Sequence, residues 1–92
     1  MTSEQRAAQA GPPGMPAGVA LTIDALGKKC PIPIIMLAER IREVAIGQVI
    51  AVLADDPAAK SDLPAWCALK SQEFVRTDEL ETGWSFLVRR SY

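Results

Sequence analysis

The side chains that narrow the chemistry most are two cysteines, Cys30 and Cys67, in a 92-residue sequence that has no histidine. The missing histidine removes Ser-His-Asp and Cys-His catalysis and every His-containing metal site. Two thiols are too few for an all-cysteine zinc site within one chain, so no metal is expected. What a thiol does without a base beside it is exchange sulfur. A thiolate attacks a sulfur atom and another thiolate leaves, as in thiol–disulfide exchange. Acyl transfer asks for more, a base next to the nucleophile. An accessible thiolate served by partner proteins therefore suits a carrier better than a self-sufficient enzyme, and no cofactor is needed beyond a transient group on the sulfur.

Cys30 lies in Gly27-Lys28-Lys29-Cys30-Pro31-Ile32-Pro33. Pro31 fits the first position of a helix, where its missing N–H is harmless, and Pro33 falls in the same turn. Cys30 is thus expected at a helix mouth. Free N–H groups, the positive end of the helix dipole and neighbouring lysines all favour an anion there. Lys28 and Lys29 are placed to support the thiolate or to dock a partner, and they keep the loop wet. Each proline also withholds one donor, which thins the anion nest. Cys67 falls instead at helical spacing with Leu63 on an inward face and reads as a buried, inert thiol.

The elements that must position Cys30 follow from hydrophobic period. Val19, Leu21 and Ile23 alternate, which suits a strand over 19–24. Gly27 is the expected positive-φ residue of the turn after it. Ile34, Leu37, Ala38, Ile41, Val44 and Ala45 mark the core stripe of a helix from about Pro31 to Val44, with Gly47 just past its end. Gln48–Ala54 is a near-continuous apolar run with β-branched residues, as in a buried central strand. A second helix is predicted from Asp62 to about Lys70, with Asp62 as N-cap, Pro64 in its first turn, and Leu63, Trp66, Cys67 and Leu69 facing inward. Asp55 and Asp56 read as turn and capping residues. Glu73–Asp78 and Trp84–Arg90, joined through Gly83, read as a hairpin. The order is β-α-β-α-β-β. It predicts an α/β (α+β) two-layer sandwich in which a mixed four-stranded sheet carries both helices on one face.

Composition fits one soluble domain. Apolar residues make up 49% and charged residues 23% of the sequence, and the net charge of −1 gives no general pull toward nucleic acid or an anionic membrane. No run approaches the roughly 20 apolar residues of a bilayer span. Residues 1–17, rich in Ala, Gln, Gly and Pro, lack an apolar signal region and read as a disordered tail ahead of a domain over 18–92. The expected compartment is the reducing cytoplasm, with both cysteines as free thiols and the protein a monomer in isolation.

The stretch Ile23-Asp24-Ala25-Leu26-Gly27-Lys28-Lys29-Cys30-Pro31-Ile32-Pro33 resembles the signature of the TusA/SirA/YedF family of sulfurtransferases. Its hallmark is Cys-Pro-x-Pro opening the first helix after an Asp-x-x-Gly turn. Gly47, Ala54-Asp55-Asp56-Pro57-Ala58 and Asp62-Leu63-Pro64-Ala65-Trp66-Cys67 continue the likeness, which covers about residues 21–90. The resemblance implies the same β-α-β-α-β-β sandwich. It implies that Cys30 accepts sulfane sulfur as a persulfide from a cysteine desulfurase or a rhodanese-like donor and passes it to an acceptor protein, in tRNA thiolation, molybdenum-cofactor metabolism or sulfur oxidation. Gly27, Pro31 and Pro33 carry over as shaping residues. Two positions depart from the pattern: Ile32 stands where relatives are often acidic, and Ser71-Gln72 where many have Gly-His.

Other readings use the same residues. A non-catalytic adaptor would share the fold and ignore the thiol. A redox switch would join Cys30 to Cys67. A selenium carrier would need the same cysteine. Trp66 and Trp84 could stack on RNA bases, but at inward-facing positions they read as core, so no direct nucleic-acid partner is expected.

Overall fold

The computed structural model describes residues 18–92, and the tail expected over 1–17 lies outside the described residues. Strand β1, Val19–Asp24, runs parallel to β2, Val49–Ala54, with Ile23 opposite Val52 and Asp24 opposite Leu53. Between them lie helix α1, Ile32–Arg40, and a 3-10 turn, Ile41–Glu43. Helix α2, Ala59–Leu69, leads into the antiparallel hairpin β3, Glu73–Glu79, and β4, Trp84–Arg89. The sheet order is β1-β2-β4-β3, so β4 pairs with β2 on one side and β3 on the other. The mixed four-stranded sheet and two helices are those predicted.

The alternation of the strands is what builds the core. Ile23, Ile50, Val52, Phe86 and Val88 project from the sheet against Leu37 and Ile41 of the first helical segment and Leu63 and Cys67 of α2. Burial of a Leu, Ile, Val or Phe side chain contributes about 1.5–3 kcal/mol, so this cluster is the main source of stability. Among the described residues, no helix is long and apolar enough to cross a membrane.

Both helices depart from their predicted limits. The first gives out at Arg40, tightens to a 3-10 turn, and reaches Val44 as extended chain (φ −104°, ψ 157°). The Val44 side chain is still buried, but its carbonyl accepts from the Arg90 guanidinium at 2.6 Å rather than from a helical amide. Ala38 and Ala45, expected in the core stripe, are exposed. Gly47 (φ +91°) closes a turn in which the Gln48 amide bonds to the Ala45 carbonyl, so it does not cap the helix itself.

Helix α2 begins at Ala59, three residues before the expected start at Asp62, and Pro64 lies within it. The early start follows from Asp56, whose Oδ1 accepts the Ala58 N–H at 3.0 Å and folds the chain into a turn before the helix. Short-range bonds from Ala59 to Asp56 O and from Lys60 to Pro57 O continue that turn. Leu69 is exposed, not inward. The helix ends with Ser71 in the left-handed region (φ +57°) and the Gln72 amide reaching back to the Cys67 carbonyl, the pattern that usually calls for glycine.

Candidate functional site

Parallel pairing of β1 and β2 brings their carboxyl ends to the same edge of the sheet. The Ala25 amide extends the pairing by donating to the Leu53 carbonyl at 2.8 Å. The loop after β1 and the loop after β2 therefore lie side by side. The first holds Cys30; the second holds Asp55 and Asp56.

The cysteine loop is built from successive local bonds. Asp24 Oδ1 accepts the Leu26 N–H at 3.0 Å, and Lys28 N–H donates to Ala25 O at 3.1 Å. Gly27 has φ +79°, as predicted for the turn, and a Cβ there would meet no atom within 4 Å. Its conformation, not crowding, is what selects glycine. Its amide donates to both oxygens of Asp55 at 3.1 Å. The Cys30 amide donates to Asp56 Oδ2 at 2.9 Å.

The helix begins one residue later than predicted. Pro31 is the N-cap, joined to Cys30 by a cis peptide, and its carbonyl accepts the Ile35 N–H at 3.0 Å. Pro33, in the first turn, is buried. Around the half-buried Cys30, Lys28 and Lys29 are exposed, and so are the apolar side chains of Leu26, Ile32 and Ile35.

The electrostatics of Cys30 run opposite to the sequence expectation. Its thiol is held above the ordinary value of 9.0, first by burial, then by the charges of Asp56 and Asp62 and a hydrogen bond to Asp62. Two features explain the reversal. The amide donors near the sulfur are spent: Pro31 and Pro33 have none, Cys30 gives its own to Asp56, and Ile32 gives its own to Lys29 O at 2.9 Å. The charges acting on the thiol are also two carboxylates, not the lysines. Lys29 acts on Asp56, whose carboxyl is held down by the amides of Cys30 and Ala58 and, to a smaller extent, by that lysine.

Asp55 and Asp56 thus do more than form a turn. Asp62, expected as a cap, sits in the first turn of α2 and presents its carboxylate to the thiol. The signal that could have revealed this was topological. Acidic residues directly after a strand that is parallel to β1 must lie beside whatever follows β1.

Cys67 is buried on α2 and pushed up to about 11 by burial. It is a free thiol facing the core, as Cys30 is a free thiol at the loop. Trp66 and Trp84 pack against the core, as read from their spacing. The Trp84 ring lies 6.3 Å from that of Phe86 and 5.1 Å from the Lys60 ammonium.

Two comparisons bear on this arrangement. A family model described as sulfurtransferase TusA matches residues 21–90. A crystal structure of a SirA-like protein from Desulfitobacterium hafniense is 28% identical to this chain, covers 75% of it and 93% of its own length, and superposes with a TM-score of 0.63. The matched span contains both loops and the two carboxylates, Asp56 and Asp62, that act on Cys30.

Proposed function

The chain belongs to the TusA family of sulfurtransferases, and on that premise we propose that it carries sulfane sulfur as a persulfide on Cys30 between a donor protein and an acceptor protein. The observation that supports this most directly is the contrast between its two thiols. Cys30 stands part-exposed on a loop held from behind by Asp55 and Asp56, whereas Cys67 is sealed in the core.

The transfer needs no metal and no bound cofactor. Cys30, on losing its proton to solvent or to a group of the donor, attacks the outer sulfur of the donor's persulfide. A new S–S bond forms on Cys30, the donor's S–S bond breaks, and the donor leaves as a thiolate that takes up a proton. The acceptor's thiolate repeats the step on the outer sulfur, and Cys30 leaves as the thiolate. No net oxidation occurs in either half.

A cysteine desulfurase or a rhodanese-like protein is the donor class that presents such a persulfide. Leu26, Ile32 and Ile35, with Lys28 and Lys29, form the exposed surface along which partners dock. The relay serves tRNA thiolation, molybdenum-cofactor metabolism or sulfur oxidation, in the reducing cytoplasm where both thiols stay reduced. The burial of Cys67 weighs against a Cys30–Cys67 redox switch.

The test is intact-protein mass spectrometry after incubation with a cysteine desulfurase and free cysteine, and separately with a rhodanese-type donor. A gain of one sulfur atom, removed by reductant and absent in Cys30→Ser, is the expected result. Equal gain in Cys30→Ser, or none in the parent with either donor, sinks the reading and favours a non-catalytic adaptor.

A further inference from the structure

We infer that Asp56 is a positioning residue for sulfur transfer, one whose carboxylate fixes where Cys30 stands by tying the backbone of the cysteine loop to the start of α2. The inference rests on the reading of Cys30 as the persulfide carrier.

Each oxygen of Asp56 has its own task. Oδ2 accepts the Cys30 amide at 2.9 Å, across 26 residues of sequence, and Oδ1 accepts the Ala58 amide at 3.0 Å. A carboxylate can do both because both its oxygens are acceptors. The residue is therefore a bridge between two loops, and the Cα of Cys30 cannot drift without breaking a charge-assisted bond. Asp55 holds the same loop three residues earlier, at Gly27. Between these two anchors the lysines project to solvent, and beyond them Pro31 starts the helix.

Transfer between proteins demands this control. The attacking sulfur must lie in line with the S–S bond of a persulfide carried by another molecule, and a small misplacement is costly in rate. The chain has no histidine with which to orient the thiol. The backbone clamp supplies the orientation, while the negative charge of the same group, with that of Asp62, disfavours a free thiolate. Position and ionisation are thus set in opposite senses by one side chain, which makes them separable by experiment.

Asp56→Asn keeps the size of the side chain but removes the charge and leaves only one accepting oxygen for two amides. Two readouts are compared with the parent: donor-dependent sulfur loading, and alkylation of Cys30 by iodoacetamide as a function of pH. Cys67 is the internal control for folding, since its burial protects it from label in the native state. The expected result is a single label, an alkylation midpoint moved to lower pH, and loading slowed about tenfold, the size of effect that follows from losing one charge-assisted bond. Loss of folding alone would instead label both cysteines. A parent-like loading rate with the alkylation midpoint shifted would overturn the inference, since charge would then matter and position would not.

If Asp56→Asn exposes Cys67 to label, Asp56→Glu decides. It keeps the charge and moves the oxygens outward by one methylene. Loading slowed about tenfold with Cys67 protected and the midpoint not lowered supports positioning. Loading at the parent's rate overturns it. Failure of the underlying carrier reading is distinguishable, because the parent itself would then gain no sulfur.

Discussion

The backbone amide of Cys30 and the carboxylate of Asp56 lie 2.9 Å apart, although 26 residues separate them in the chain. That bond joins the loop after β1 to the loop after β2, and it faces the proposed sulfur carrier with negative charge. The chemistry of the site follows from that pairing more than from the lysines that adjoin the cysteine in sequence.

Cys30 should alkylate slowly at neutral pH. Its thiol is raised above 9.0 by burial and by Asp56 and Asp62, so the neutral form dominates and the rate climbs only as pH passes 9.0. Asp62→Asn removes one raising charge, and should move the midpoint down. Lys29 stays paired electrostatically with Asp56 in that variant. Iodoacetamide kinetics followed by intact mass check both statements. A parent midpoint below 9.0, or one unmoved by Asp62→Asn, would contradict this account of the site.

Alkaline pH should destabilise the fold through Cys67. Its folded value is about 11 against 9.0 for the ordinary thiol. A raised value means that the native state holds the proton more tightly than the unfolded state does. The contribution to stability is therefore complete below about pH 9 and is lost as pH rises through 11. Urea melts at pH 7, 9 and 10.5 should show a decline that Cys67→Ala reduces. That variant should itself cost about 1–2 kcal/mol at pH 7 through the space left behind.

Gly83→Ala should affect both stability and sulfur loading. A Cβ at Gly83 would stand 2.5 Å from the Ala54 carbonyl oxygen and 2.9 Å from Asp55, at a φ of +81°. Neither the backbone conformation nor the space allows it, and a loss on the order of 2 kcal/mol is expected. Any relief must push on the segment whose Asp55 holds Gly27. Loading measured well below the melting temperature should fall even where the protein is fully folded. A variant that melts earlier but loads normally would show that the hairpin turn and the cysteine loop are independent.

Ser71→Gly should stabilise the protein by about 1 kcal/mol. Ser71 holds φ +57° at the end of α2, a conformation that disfavours a side chain and suits glycine. Thermal melts of the two proteins under one buffer condition provide the comparison. An unchanged or lowered melting temperature would mean that the serine offsets its strain elsewhere.

Much of this was readable in the sequence, and two of the exceptions depend on partners distant in the chain. β1 declared itself by the alternation of Val19, Leu21 and Ile23, and β2 by its β-branched apolar run. The two helix ends that differ have different causes, one long-range and one local. Arg90, far along the chain, captures the Val44 carbonyl, whereas Asp56 starts α2 early through the amide of Ala58 only two residues on. The sign of the Cys30 shift, like the end of the first helix, is set by residues distant in the chain. Lys28 and Lys29 are visible beside Cys30 in the chain, whereas Asp56 and Asp62 reach it only through the parallel pairing of β1 with β2. Local period identifies elements; charge at a site depends on which loops the topology brings together.

The strand order has a consequence for synthesis. β2 is an interior strand, but its antiparallel neighbour β4 is the last element of the sheet to be made. Until residues 84–89 leave the ribosome, β2 exposes one full edge of unpaired amides and carbonyls, and β3 has nothing to pair with. The nascent chain up to Glu79 should therefore be a client for chaperones rather than a folding intermediate with a working cysteine. Assembly waits for the final strand and then closes the sheet in one cooperative event.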